Sequence, residues 1–269
     1  MIKRGIRGHD VRASGLEQIC KRCGEVGIDY IQLVLEKSIE GFGYGQYSEE
    51  YAKKIKQQLG DRRVAILGSY INPSNPDDEA LRYDIARFKE KIQYAKTLCP
   101  IAVGTETGTY IAGKTNTEEA YQRVLGTVRE LVAEAERCGV NVGIEGVHLY
   151  VINTPKTMKR LNDEVNSENI KVIFDPMNYI NDENYERQDE MICELFDLLH
   201  DKVIALHAKD FKIVDGHVRF TPPFKDGLLN YPLIFKKMAE YGLDIPIITE
   251  EIDESTASTV FEEIEKMQK

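Results

Sequence analysis

The stretch VIALHAKDF, residues 203–211, is a short apolar run that ends in His207 and passes directly into Lys209 and Asp210. It is one of eight runs rich in Ile and Val, and longer segments of helical periodicity separate them. In chain order the runs are IKRGI from residue 2, YIQLVL from 30, VAILGSYI from 64, IAVGTE from 101, VNVGIEG from 140, IKVIFDP from 170, VIALHA from 203 and IPIITEE from 245. This alternation predicts βα units that close a parallel sheet.

The number of runs predicts the fold class. Eight strands, each followed by a helix, within about 250 residues are typical of a (β/α)₈ TIM barrel. A doubly wound open sheet usually has fewer strands and often carries G-x-G-x-x-G after the first, which GIRGHD at residues 5–10 does not match. No linker-like segment interrupts the rhythm, so we expect a single domain over residues 1–269. Among the helices, the segment 116–139 has Asn116 or Thr117 as N-cap and Gly139 as its end.

Composition and charge exclude several classes of partner. The formal net charge of −10 argues against nucleic-acid binding, which relies on neutralising phosphates with Lys and Arg. No signal-like segment and no apolar run of about 18 residues is present, which predicts a cytoplasmic protein without a membrane partner. The five cysteines, an odd number, fit a reducing compartment. Cys20 and Cys23 share a helical face without a second pair, so we expect buried thiols and not a zinc site.

Four potential metal ligands follow consecutive strands in the second half of the chain. They are Glu145, Asp175, His207 and Glu250. A barrel brings these strand exits to one rim, where three carboxylates would repel one another unless a cation lay between them. Oxygen-rich ligands with one imidazole favour Mn²⁺, Mg²⁺ or Co²⁺, with Zn²⁺ also compatible. Acidic residues at strand exits are also common as helix caps, and Glu251 competes with Glu250 because consecutive strand residues point to opposite faces.

The motifs NVGIEGVH, VIFDPMNYI, ALHAKDF and PIITEEI, in this order, resemble those of the xylose-isomerase-like sugar isomerases and epimerases. The resemblance extends over nearly the whole chain and implies that Glu145, Asp175, His207 and Glu250 bind one divalent metal ion. It also implies that Glu145 and Glu250 are the catalytic acid/base pair. Members of the family are often dimers or tetramers, so the resemblance implies a homodimer or homotetramer.

The resemblance also implies that the substrate is a small sugar or hydroxy-ketone. Its carbonyl and neighbouring hydroxyl can chelate a cation, which stabilises the enediolate formed when a proton leaves the adjacent carbon. Return of the proton to the opposite face gives epimerisation, and return to the neighbouring carbon gives isomerisation. The sequence leaves both reactions open.

Six further residues are candidate substrate ligands at the same rim. They are His9, Glu106, His148, Asn178, Lys209 and Arg219. Packing under the loop is the alternative for His148, and solvation is the alternative for Arg219, which is interpreted as a loop residue. Asn178 stands where many sugar epimerases of the family carry a histidine, and this departure weakens an assignment to the ketohexose 3-epimerases. The loop GFGYGQY, residues 41–47, suits either a lid or aromatic packing.

Three other functions share this fold. A metal-dependent dehydratase or lyase of an inosose or dehydroshikimate type would use the same ligands. A DNA-repair endonuclease of the superfamily requires a trinuclear zinc site with more histidines than the five present here. The third is a non-catalytic barrel that binds a small polar ligand. Loss of a metal ligand would favour it, but all four ligands are present in this sequence.

Overall fold

A computed structural model of the protein describes residues 2–267. The strands are β1 (Lys3–Arg7), β2 (Tyr30–Leu33), β3 (Arg63–Gly68), β4 (Ala102–Thr105), β5 (Val142–Glu145), β6 (Ile170–Phe174), β7 (Val203–Ala208), β8 (Asp210–Val214), β9 (His217–Thr221) and β10 (Pro246–Thr249). The helices are α1 (Leu16–Glu25), α2 (Leu35–Ser38), α3 (Glu49–Leu59), α4 (Asp78–Leu98), α5 (Glu118–Cys138), α6 (Pro155–Val165), α7 (Gln188–Leu199), α8 (Tyr231–Glu240) and α9 (Glu254–Met267).

Eight of the strands form one closed parallel barrel, in the order β1, β10, β7, β6, β5, β4, β3, β2 and back to β1. The first and last barrel strands close it through four register pairs that run from Lys3 with Pro246 to Ile6 with Thr249. The predicted (β/α)₈ barrel is therefore confirmed. All eight apolar runs of the sequence became barrel strands, which places their carboxyl ends at one rim.

The barrel interior is filled by side chains from alternate strand positions. Six buried strand residues form a cluster separate from the larger core between strands and helices: Tyr30, Ala65, Ile66, Ile173, Ala205 and Ile248. Glycine is required beside them, because a Cβ added at Gly104 would lie 2.5 Å from Cγ2 of Ile66 and 2.8 Å from Cδ1 of Ile173. The interior is thus a packed floor beneath the rim.

We expect Gly104→Ala to destabilise the fold by about 1–3 kcal/mol, because an extra methyl overpacks this floor. The matched control is Gly126→Ala on the exposed face of α5, where an added Cβ meets no atom within 4 Å. That change is expected to raise the free energy of unfolding by about 0.5–1 kcal/mol. Urea denaturation of both variants measures the difference, and equal midpoints would contradict a tightly filled interior.

The helix boundaries follow the predicted caps. The Thr117 hydroxyl accepts a hydrogen bond from the amide of Ala120, so Thr117 and not Asn116 is the N-cap of α5. Gly139 ends the same helix in the left-handed region, with φ of 66°. Cys20 and Cys23 are buried on α1, and burial raises the pKa of their thiols to about 11 and about 12. Within residues 2–267, no helix is long and apolar enough to cross a membrane.

The structure differs from the sequence interpretation in the segment after β7. Strands β8 and β9 pair antiparallel there as a hairpin, so Arg219 lies on a strand and its interpretation as a loop residue is wrong. The hairpin turns at Asp215 and Gly216, whose φ values are 52° and 79°. The Asp-Gly dipeptide is the sequence signal of such a turn, because a two-residue hairpin turn of this type needs positive φ at both central residues.

The loop of residues 41–47 packs against outer helices. The ring of Phe42 lies 5.4 Å from that of Tyr94 on α4, and the ring of Tyr47 lies 5.0 Å from it, edge to face. The carboxylate of Glu90 accepts hydrogen bonds from the amides of Gly45 and Tyr47. These contacts correspond to aromatic packing, the alternative to a lid.

Candidate metal centre

Four side chains meet at the carboxyl end of four adjacent barrel strands. Glu145 is the last residue of β5, Asp175 follows β6, His207 lies on β7 and Glu250 follows β10. All four are buried. The strands that carry or precede these residues are mostly apolar, and each is paired with a neighbouring strand on both sides. Each polar side chain therefore emerges where the barrel core ends.

The imidazole of His207 lies at the centre of the group. Its Nδ1 is 3.2 Å from Oε1 of Glu145, 3.3 Å from Oε1 of Glu250 and 3.6 Å from Oδ2 of Asp175. One ligand atom each from Glu145, Asp175 and His207 lie within 4.8 Å of one another. Three carboxylates around one imidazole nitrogen fit a divalent cation in charge and in donor type.

The side chains of the consecutive residues Glu250 and Glu251 point in different directions. The Glu250 side chain is 3% exposed and faces the cluster, whereas the Glu251 side chain is 49% exposed and contacts Arg7. The geometry thus brings Glu250 to the predicted metal position and directs Glu251 away from it.

Lys209 enters the same cluster from the strand exit of β7. Its Nζ lies 2.8 Å from Oδ2 of Asp175 and 2.7 Å from Oε2 of Glu250. The Lys209 carbonyl accepts a 2.5 Å hydrogen bond from the hydroxyl of Tyr231. Asp210 holds the following loop, because Oδ1 accepts hydrogen bonds from the amides of Phe211 and Leu229. Lys209 is therefore a fixed positive charge within the site.

The charges set the protonation states of the cluster. Burial alone would raise the pKa of Asp175, but Lys209 and His207 lower it to about 2. Burial also opposes ionisation of Glu250, whose pKa is nevertheless lowered by His207 and Lys209. For His207, burial lowers the pKa, while Glu250 and Glu145 raise it well above the usual value. Without a metal ion, a proton on His207 thus partly balances the carboxylates.

We expect metal binding at pH 7 to release about one proton per ion, because a metal ligand must be neutral imidazole. The proton is bound below the raised pKa of His207, so the release should disappear only as the pH rises through that value. Calorimetric titration with Mn²⁺ in two buffers of different ionisation enthalpy measures the number of protons. His207→Gln is the control, and release from that variant equal to wild type would contradict the assignment of the proton.

Asn178 and His148 contact the ligands through one chain of hydrogen bonds. The Asn178 amide nitrogen Nδ2 donates to Oε1 of Glu145 at 2.7 Å, and its backbone amide donates to Oδ1 of Asp175 at 3.2 Å. The Asn178 carbonyl in turn accepts from the backbone amide of His148 at 2.7 Å, with His148 Nδ1 at 3.1 Å. Both residues lie at the site, and their contact with substrate stays a prediction.

Two more of the predicted substrate ligands lie at the rim. Glu106 follows β4 half-buried, and burial together with Glu145 raises its pKa to about 7. His9 follows β1, with Nε2 3.3 Å from Nζ of Lys37 and with Nδ1 buried and unpartnered among the described residues. Burial and Lys37 lower the pKa of His9, which leaves the ring neutral.

Arg219 is placed differently. It is exposed on β9, where its guanidinium donates to the carbonyl of Val218, and across residues 2–267 it has no described contact with the four ligands. Two other polar residues that follow barrel strands have partners outside the four ligands: Glu36, after β2, pairs with Lys91, and Asn72, after β3, accepts a hydrogen bond from Ser74.

Three residues at the site were missed in the sequence. Arg7 at the end of β1 has Nη1 3.3 Å from Oε2 of Glu250. Gln32, fully buried on β2, donates through Nε2 to the hydroxyl of Tyr70 at 2.6 Å, and its Oε1 has no partner in the described part of the chain. Gln32 left a signal, since it is the one polar residue within the run YIQLVL. Arg7 and Tyr70 gave none, because their role depends on contacts across strands.

Comparisons with known proteins agree with this architecture. The model of a family described as "Xylose isomerase-like TIM barrel" matches residues 20–269. No curated protein matches the sequence. The IOLI protein with a binding zinc atom is 18% identical with a TM-score of 0.78, over 99% of this chain and 98% of that one.

Two further solved structures are similar. D-psicose 3-epimerase with D-tagatose from Clostridium cellulolyticum H10 is 16% identical with a TM-score of 0.76, over 100% of both chains. A xylose isomerase-like TIM barrel protein from Mycobacterium smegmatis, in complex with magnesium, is 16% identical with a TM-score of 0.75. That match covers 99% of this chain and 96% of the other. At these identities the likeness establishes the fold.

Proposed function

Because this chain belongs to the xylose isomerase-like TIM barrel family, we propose that it is a divalent-metal-dependent isomerase or epimerase of a small sugar or hydroxy-ketone. The observation that carries the proposal is the convergence of three buried carboxylates on Nδ1 of His207, at 3.2–3.6 Å. The similar structures include D-psicose 3-epimerase, a complex with magnesium and a protein that binds a zinc atom, which supports this class of reaction and cofactor.

Glu145, Asp175, His207 and Glu250 would hold the ion. When bound, a divalent ion supplies Lewis-acid polarisation of the carbonyl next to the reacting carbon. Mn²⁺, Mg²⁺ and Co²⁺ suit this oxygen-rich donor set best, and Zn²⁺ is also compatible. The cluster contains a single imidazole, which disfavours the multi-zinc centre of a repair endonuclease.

Glu145 and Glu250 would move the proton. In Glu145 the contacts with Asn178 and His207 fall on Oε1, which leaves Oε2 to accept a proton from carbon. In Glu250 the cations Lys209 and Arg7 lie at Oε2, and they favour the ionised form of this carboxylate. In each direction the glutamate that is ionised removes the proton next to the carbonyl to give an enediolate, and the other glutamate, which enters the step protonated, gives its proton to the opposite face; the two roles reverse for the other epimer.

The proposal is tested by solvent exchange. The protein is incubated in D₂O with a panel of ketoses and Mn²⁺, and proton NMR follows the signal beside each carbonyl. The proposal is supported if that signal is lost for one ketose in the presence of Mn²⁺ and persists once the metal has been removed with a chelator. Bound metal without exchange in any ketose would favour the dehydratase or lyase alternative.

Tyr70 offers a hydrogen bond to the substrate. Burial raises the pKa of Tyr70 well above its usual value, so the hydroxyl stays protonated. Its oxygen already accepts from Gln32, so the proton remains available for a substrate oxygen. We expect Tyr70→Phe to lower kcat/KM about 2- to 10-fold, the value of one neutral hydrogen bond.

The matched control for this change is Tyr94→Phe. The hydroxyl of Tyr94 is buried on α4 and has no partner in the part of the chain that the structure describes. Its removal should leave kcat/KM unchanged. An equal loss in both variants would contradict a substrate contact for Tyr70.

A further inference from the structure

The backbone turns sharply at the residue after Glu250. Glu251 has a φ of 61°, in the left-handed region that non-glycine residues rarely adopt. For such a residue this conformation costs roughly 1–2 kcal/mol and persists only where surrounding contacts hold it. The turn directs Glu250 inward and Glu251 outward, so these contacts bear on the predicted catalytic glutamate.

Two residues of the first barrel strand and its exit supply the contacts. Oδ2 of Asp10 accepts a hydrogen bond from the backbone amide of Glu251 at 2.9 Å. Nη2 of Arg7 donates to Oε1 of Glu251 at 2.5 Å. Arg7 and Asp10 are joined by two further hydrogen bonds of 2.8 and 2.9 Å. We call Arg7, Asp10 and Glu251 the seam clasp, because they join the first and last barrel strands.

The seam clasp reaches Glu250 through the third nitrogen of the same guanidinium. Nη1 of Arg7 lies 3.3 Å from Oε2 of Glu250, the oxygen that Nζ of Lys209 approaches to 2.7 Å. Two cations thus fix Oε2, and Oε1 remains directed at Nδ1 of His207. The Arg7 side chain is 16% exposed, so these charged hydrogen bonds are largely shielded from water.

Closing the barrel does not require this arrangement. The backbone register of β1 with β10 already joins the two strands at four positions. A separate ion pair, Arg12 with Asp253 at 2.6 Å, links the segments that follow them. The strained conformation of Glu251 and its contacts therefore need an explanation other than barrel closure. The side chain of the site that these contacts reach is Glu250.

We propose that Arg7, Asp10 and Glu251 are positioning residues that hold the Glu250 carboxylate in place. The left-handed turn at Glu251 sets the direction of the Glu250 side chain, and the seam clasp stabilises that turn. This inference rests on the proposed function in taking Glu250 as a metal ligand and proton carrier.

Glu251→Gly and Glu251→Val test the backbone part directly. Both remove the same carboxylate, but glycine adopts positive φ freely whereas β-branched valine strongly disfavours it. With Mn²⁺ as probe and free Mn²⁺ measured by electron paramagnetic resonance, the valine variant is expected to bind about 10- to 100-fold more weakly than the glycine variant. Equal affinities would overturn the proposal.

Asp10→Ala and Asp10→Asn test the side chain that holds the turn. Asparagine keeps an oxygen that can accept from the Glu251 amide, so it should restore at least half of the loss in Mn²⁺ affinity seen with alanine, on a logarithmic scale. Arg12→Met is the matched control, since it breaks an ion pair across the same seam without touching Glu250. If Arg12→Met weakens Mn²⁺ binding as much as Asp10→Ala, the seam is merely structural and the proposal fails.

Crystal structures of the glycine and valine variants provide a readout independent of metal and activity. The contact of Lys209 Nζ with Oε2 of Glu250, 2.7 Å here, should persist with glycine and be lost with valine. If wild type binds no divalent ion, the proposed function fails, and these structures still decide the role of the seam clasp. Retention of the contact in the valine variant would overturn it.

Discussion

Asp175→Ala is expected to abolish divalent-ion binding and ketose proton exchange together. Asp175 is fully buried, and its Oδ2 lies 3.6 Å from Nδ1 of His207, so its carboxylate is one of the three that converge on that nitrogen and its loss leaves two. Loss of a residue that only supports a metal ligand already costs about 10- to 100-fold in affinity or activity, and loss of a ligand should cost at least about 100-fold. Elemental analysis after dialysis and exchange in D₂O measure the two effects on the same samples.

Two variants separate this effect from a general loss of structure. Asp175→Asn keeps the volume of the side chain and one oxygen, so it should fold even if alanine does not. Asp182→Ala removes an exposed carboxylate that lies 2.8 Å from His217 in the hairpin, and it should retain both metal and exchange. One ion per chain bound equally by wild type, Asp175→Asn and Asp175→Ala would refute the site.

Glu145→Gln and Glu250→Gln are each expected to lower the rate of substrate interconversion by about 10²- to 10⁴-fold, the usual contribution of a positioned acid or base. Glutamine keeps an oxygen that can hold the ion but cannot accept the proton. In the proposed mechanism the two carboxylates act on opposite faces of the substrate, so each variant should still exchange the proton of one epimer with solvent. Proton NMR in D₂O, started from each epimer in turn, distinguishes the two half-reactions.

The control for this pair is Glu251→Gln, which keeps the length of the neighbouring side chain but lies outside the cluster. Its effect on interconversion should be smaller than that of Glu250→Gln by at least about tenfold. The acid/base assignment at this strand end is wrong if Glu250→Gln keeps full activity, or if Glu251→Gln lowers the rate of interconversion more than Glu250→Gln does.

The sequence predicted the barrel because its signal is repetitive. Eight apolar runs of strand length recur between helical segments, and an error in one run would not change the count that decides the fold. The hairpin of β8 and β9 was missed for the opposite reason. It occurs once, its strands are half exposed, and only the Asp215-Gly216 turn marks it.

The convergence of the four side chains was predictable, because residue type and position along the strand coincide there. Glu145, Asp175, His207 and Glu250 each interrupt an apolar run at the same point, and the geometry brings them together. Which of Glu250 and Glu251 faces inward was not decidable from alternation, because a single backbone angle at Glu251 determines it. Arg7 was missed because its partner Glu250 lies 243 residues away.

That separation has a consequence for how the molecule reaches its native state. Contacts between residues far apart in the chain form late in folding, since the entropy of closing the intervening loop must be overcome first. The junction of β1 with β10 is the longest-range pairing of the barrel, and Glu250 receives Arg7 only when it forms. Affinity for the ion should therefore appear after most secondary structure during refolding, so that metal uptake reports completion of the closed barrel.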